Sequence, residues 1–205
     1  MSDVLFVLKA GVLAHELGHQ LANVTCAELV DQPDAVLVIT KDPDRNQFVA
    51  AYPGDWRPTS AVDRLLTSAC GPVTGWAYGE SIPGVSRTCG VEGVLDVIKN
   101  ADAIDILVRA TKDQHASPSD LRSMIMLGAL AASKEHSRAI RKMLVCCLRL
   151  GMWLSATEQG RSFSVPSFFG GLTEHGRFEI TVRGLLDLLT AAEEHCASLE
   201  SEATT

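Results

Sequence analysis

Residues 4 to 22 place apolar side chains at Val4, Leu5, Val7, Leu8, Val12, Leu13 and Leu17, the spacing of a helix with one broad buried face. Ser2 or Asp3 can cap its start. Inside the run stands HELGH, residues 15 to 19, so a helix bound for the core also carries His15, Glu16 and His19. It is either a metal-binding face or a chance polar pattern on a core helix. Residues four apart share a helix face, so His15 and His19 can each turn one ring nitrogen toward the same ion. Glu16, one step of about 100° further round, stands beside that ion and outside its ligand shell.

Each residue type suits this chemistry. Neutral imidazoles bind zinc, zinc lowers the pKa of water to about 7, and a nearby carboxylate takes the proton of the attacking water and returns it to the leaving amine. Gly18 lets another segment approach the helix closely. A catalytic zinc needs a third protein ligand. The chain continues QLANVT, with Ala22 and Thr25 where a metzincin needs glycine and histidine, so that class is excluded. Glu92 and Asp96 form an ExxxD pair of the kind a thermolysin-like site uses, a pattern common on any amphipathic helix.

Further along, AVLVIT (35 to 40) and QFVAAY (47 to 52) are β-branched and aromatic runs separated by KDPDRN, which predicts a hairpin. Helices are expected at about 59 to 78, opened by a Ser60/Asp63 capping box, and at 91 to 112, 118 to 132, 134 to 158 and 178 to 199. Segments 82 to 90, 115 to 119 and 160 to 178 read as loops, the last with Phe163, Phe168 and Phe169 turned inward. No repeat or linker divides the 205 residues. The expected fold is one domain, 1 to 205, of α+β class, mainly helical, with a small hairpin or sheet beside the HExxH helix.

Composition narrows the partners. A net charge of −7 disfavours a nucleic-acid surface. Lys134, Arg138, Arg141, Lys142 and Arg149 fall at helical spacing, as the solvated side of a helix does. No window approaches the roughly 20 apolar residues of a membrane helix, and the N-terminus has an acid where an export signal needs basic residues. Six cysteines without CxxC spacing predict reduced thiols in a cytoplasm.

In order along the chain, HELGH, a hairpin, CGPVTGWAYG (70 to 79) and HASPSDLRSM (115 to 124) resemble HEAGH, a hairpin, GGRxAEExxxG and GASNDL of the peptidase domain of the FtsH family of ATP-dependent zinc metalloproteases. The resemblance spans about residues 5 to 135, with helices from 134 to 200 completing the bundle. It implies a zincin-like fold, a Zn2+ cofactor held by His15, His19 and Asp120, and Glu16 as general base. Leu17 stands for the family's alanine, Gly75 and Trp76 for its two glutamates, and the loop before Asp120 is one residue longer. Ser119 or Asp120 can also cap the helix that starts there. His115 is placed to stabilise an oxyanion, though a loop histidine more often faces solvent. There is no GxxxxGK[ST] nucleotide loop.

The expected activity is therefore that of a metalloendopeptidase acting on peptides or unfolded protein, alone or fed by an ATPase unfoldase in trans, with homo-oligomers open. Two alternatives keep the same features: a non-catalytic interaction module on a peptidase fold, and a zinc hydrolase of a non-peptide amide.

Overall fold

A computed structural model describes residues 2–42, 47–51, 60–82, 89–133, 135–160 and 177–202. The elements run α1 (Ser2–Cys26), a 3-10 turn (Leu29–Asp31), β1 (Val36–Asp42), β2 (Gln47–Ala51), α2 (Ala61–Glu80), α3 (Gly90–Asn100), α4 (Ala103–Ala110), α5 (Pro118–Ala131), α6 (Ser137–Gly160), β3 (Arg177–Thr181) and α7 (Val182–Glu202). The class is mainly helical α+β, as expected.

The central helix is α2, whose residues from Leu66 to Tyr78 are all buried except Ser68. A helix buried on all sides needs neighbours all round. It packs chiefly on α1 and α6, and also on α5 and α4. Two glycines permit the close approach. A Cβ at Gly18 of α1 would overlap the Cys70 carbonyl of α2, and one at Gly151 of α6 would overlap the Thr74 carbonyl. Around these contacts Leu13, Leu17 and Leu21 of α1 and Ile140, Leu144 and Leu148 of α6 are fully enclosed, each worth about 1.5–3 kcal/mol of transfer free energy.

The sheet is antiparallel in the order β2-β1-β3. Leu37 and Ile39 of β1 face Ile180 and Phe178 of β3, so one face of the sheet closes the core. Gln20 of α1 donates to the Val38 carbonyl at 3.0 Å and ties the first helix to this sheet.

Four expectations change. The first helix runs to Cys26 and not to about Ala22: Val24 is buried and Thr25 Oγ1 donates to Leu21 O at 2.9 Å. The helix expected over 91 to 112 is two helices, because the Asp102 side chain accepts from Asp105 N at 2.8 Å and caps a new start. Residues 178 to 181 form a strand, not the start of a helix, since Phe178 and Ile180 alternate onto the buried face of β1. Ser117, and neither Ser119 nor Asp120, is the N-cap of α5; Asp120 reciprocates from the third helical position. The Ser60/Asp63 capping box forms as expected. Most of the loop over 160 to 178, including Phe163, Phe168 and Phe169, lies outside the described residues.

Arg141 departs from the basic row on α6. It donates to the carbonyls of Ile98 (2.8 Å) and Ala101 and so closes the C-terminal end of α3. Among the described residues no helix is long and apolar enough to cross a membrane.

Three thiols, from Cys26, Cys70 and Cys147, gather where α1, α2 and α6 meet, with Cys70 hydrogen-bonded to Cys147. Burial, then Asp63, pushes the Cys26 thiol up to about 12, and burial pushes Cys196 up to about 12. Unfolded thiols ionise near pH 8.5 while these hold their protons far longer. Their stabilising contribution is complete below that pH and is lost as pH climbs from about 9 toward 12. Urea midpoints measured over this window should fall with pH, and less steeply in Cys196→Ala than in wild type.

The glycine contacts give a second test. Gly18→Ala should cost about 1–3 kcal/mol through overpacking. Gly79→Ala, with nothing within 4 Å of its Cβ, should add about 0.5–1 kcal/mol by removing backbone entropy from the unfolded chain. Denaturant melts that gave both changes the same sign would contradict this packing.

Candidate metal centre

One face of α1 presents Val12, His15, Glu16, His19 and Asn23 to a cleft of about 740 Å³. The other walls are Val49 and Ala50 of β2, Thr67 and Ser68 of α2, and the connection from Gln114 into the first turn of α5.

The two histidines are fixed from behind. His19 Nδ1 donates to the Thr67 carbonyl at 2.6 Å, and His15 Nδ1 donates to Asp113 Oδ2 at 2.6 Å. A carbonyl only accepts, so the proton of a neutral His19 sits on Nδ1 and Nε2 carries a lone pair. Burial, followed by the neighbouring His15, holds the His19 pKa well below its usual value. Burial also opposes charge on His15, but the hydrogen bond and the charge of Asp113 outweigh it and raise that pKa. The two Nε2 atoms face each other at 2.9 Å.

Asp120 Oδ2 lies 3.9 Å from His15 Nε2. The same oxygen accepts from Ser117 N at 2.9 Å, so one carboxylate both caps α5 and faces His15. Glu16 has a carboxylate oxygen within 4.8 Å of ring nitrogens of both histidines. Its carboxylate accepts from the backbone N–H of Ala50 on β2, and burial raises its pKa to about 7.

His15, Glu16 and His19 each offer a ligand atom within 4.8 Å of the others, a group that could hold a metal ion, and Asp120 stands beside it, 3.9 Å from His15 Nε2. Each histidine is backed by an acceptor at its other nitrogen, as metal-bound histidines are.

Glycines make the room. A Cβ at Gly71 would overlap the His19 ring, and one at Gly75, a turn later, would lie 2.8 Å from the carboxylate oxygens of Asp113. Gly71 and Gly75 are four apart on α2, opposite the four-residue spacing of His15 and His19 on α1.

Of the residues singled out in the sequence, His15, Glu16, His19 and Asp120 meet in this cleft. Glu92 and Asp96 do not: both are exposed on α3 and neither lines it. His115 lines the cleft 6.4 Å from His15, ring centre to ring centre, with burial lowering its pKa. Its Nε2 rests against Gly11, where a Cβ would come within 3.0 Å, and has no hydrogen-bond partner among the described residues. Asp113 escaped sequence reasoning altogether. It follows α4 in TKDQ, where an acid reads as an ordinary loop residue.

Asp113→Ala should weaken the affinity of this site for a divalent metal ion by about 10–100-fold, the usual loss for an outer partner. Asp113→Asn, which keeps an acceptor but no charge, should fall between. Competition with a chromogenic chelator measures both; wild-type affinity in Asp113→Ala would remove this residue from the centre. No protein-family model, no curated protein and no solved structure matches this chain.

Proposed function

We propose that the protein is a zinc-dependent metallopeptidase with His15, His19 and Asp120 as metal ligands and Glu16 as general base. The observation that carries this reading is the pair of facing Nε2 atoms of His15 and His19, 2.9 Å apart in a cleft that also holds the Glu16 carboxylate, with Asp120 Oδ2 3.9 Å from the first of them. Bound zinc would supply a Lewis acid that brings the pKa of water to about 7. Glu16 accepts the proton of the attacking water on its carboxylate and delivers it to the leaving amine nitrogen. The Ala50 N–H keeps that carboxylate turned into the cleft. Asp113 and the Thr67 carbonyl hold the two rings in the orientation the ligands need.

The substrate in this reading is an extended peptide or unfolded protein. Among the described residues β2 pairs only with β1, which leaves its other edge for main-chain pairing with a substrate in this reading, and Val49 and Ala50 of that strand line the cleft. Such pairing selects for extended chain and little for sequence. A folded substrate would need opening first, by an ATPase unfoldase acting in trans, the arrangement that the resemblance to FtsH peptidases suggests.

Elemental analysis of purified protein should give about one zinc per chain, lost in His19→Ala. Casein cleavage by the zinc-loaded protein should drop at least about 100-fold in Glu16→Gln, with zinc retained. Absence of metal in wild type would end the proposal. Zinc without Glu16-dependent cleavage would favour a non-catalytic module or a non-peptide amide substrate.

A further inference from the structure

Along α1 the cleft has two ends. Asp113, Asp120 and His115 gather at the His15 end, while Thr67 meets His19 and Asn23 follows one turn later. At this second end two polar atoms are buried without a hydrogen-bond partner among the described residues: Asn23 Oδ1 and Thr67 Oγ1. Asn23 is 1% exposed and Thr67 5%, and both line the cleft.

The Asn23 amide is held in one orientation by a hydrogen-bond relay. Gln20 Nε2 donates to the Val38 carbonyl at 3.0 Å, and Asn23 Nδ2 donates to Gln20 Oε1 at 3.2 Å. This relay ends on a backbone carbonyl, so the amide of Asn23 has one orientation that keeps it intact, and Oδ1 is left as a bare acceptor. Thr25, Thr74, Thr157 and Thr190 each donate a hydroxyl to the carbonyl four residues earlier. Thr67 makes no such bond; its carbonyl is occupied by His19 while its hydroxyl remains open. Buried polar groups are normally paired, so a pair of unpaired ones in a cleft wall marks a place for a ligand's polar group.

We propose that Asn23 and Thr67 form a specificity subsite of the peptidase proposed above, and that it takes a neutral hydroxyl or carboxamide side chain of the substrate: Ser, Thr, Asn or Gln. Such a group donates to Asn23 Oδ1 and exchanges a hydrogen bond with Thr67 Oγ1. An aliphatic side chain leaves both atoms unpaired, and a carboxylate has no hydrogen to give the amide oxygen. Four residues of helix separate Asn23 from His19, a rise of about 6 Å, or about two residues of extended chain. The selected position therefore lies within about two residues of the scissile bond.

A peptide library randomised around its cleavage positions, digested by zinc-loaded protein and read by mass spectrometry, tests this. Preference is taken as a ratio within each digest, so it does not depend on overall rate. Wild type should favour Ser, Thr, Asn and Gln over Leu and Ala about tenfold at one such position. Thr67→Val and Asn23→Leu should bring that ratio below about twofold; if Asn23→Leu fails to fold, Thr67→Val decides alone, with its zinc content checked. Cleavage without the preference, a preference for Lys or Arg there, or a preference unchanged in Thr67→Val overturns the subsite and leaves the peptidase reading standing. A wild type that cleaves no library member overturns both.

Discussion

The contact between α1 and α2 is what the rest of this protein depends on. α1 must bury an apolar stripe, yet the adjoining part of its surface carries two imidazoles and a carboxylate. Burying such groups costs several kcal/mol unless each finds a partner. Here the partners come from α2 and from the turn after α4: the Thr67 carbonyl for His19 and the Asp113 carboxylate for His15. The steric half of the bargain is met by glycine, with Gly18 against the Cys70 carbonyl and Gly71 beneath the His19 ring. Remove any of these and the helices must separate or a buried ring loses its orientation.

Asp120 shows how one side chain serves fold and site together. Its backbone N–H and carboxylate complete the capping box with Ser117, which fixes where α5 begins. The carboxylate oxygen held by that cap is the one turned toward His15 Nε2. The helix start thus sets the position of the carboxylate, and removing Asp120 would disturb both at once. A substitution there reports on the proposed metal site only if α5 is shown to remain in place.

Much of this was legible in the chain. The helical period of the first 22 residues, the HExxH spacing, the Ser60/Asp63 box and the hairpin are local signals, set by residues within one or two turns of each other. What could not be read were the relations across long separations. Asp113 lies 98 residues from its histidine partner and has no local mark. The strand at 177–181 is specified by pairing with β1, so its sequence RFEIT, next to a long helical stretch, reads as the first turn of that helix. Asp102, by contrast, was a visible N-cap signal inside a run whose helical period continued past it.

Gly75 of α2 and Asp113 are linked across the packed structure. The space a side chain at 75 would fill is taken by the carboxylate of Asp113, whose oxygens come within 2.8 Å of a Cβ built on Gly75. An acid placed at 75 would have to displace Asp113, and with it the partner that orients His15. The glycine and the distant aspartate are therefore one feature: neither makes sense in this fold without the other. A reading confined to α2 sees only a glycine, whereas the packed structure has a carboxylate against that helix, delivered from the turn after α4.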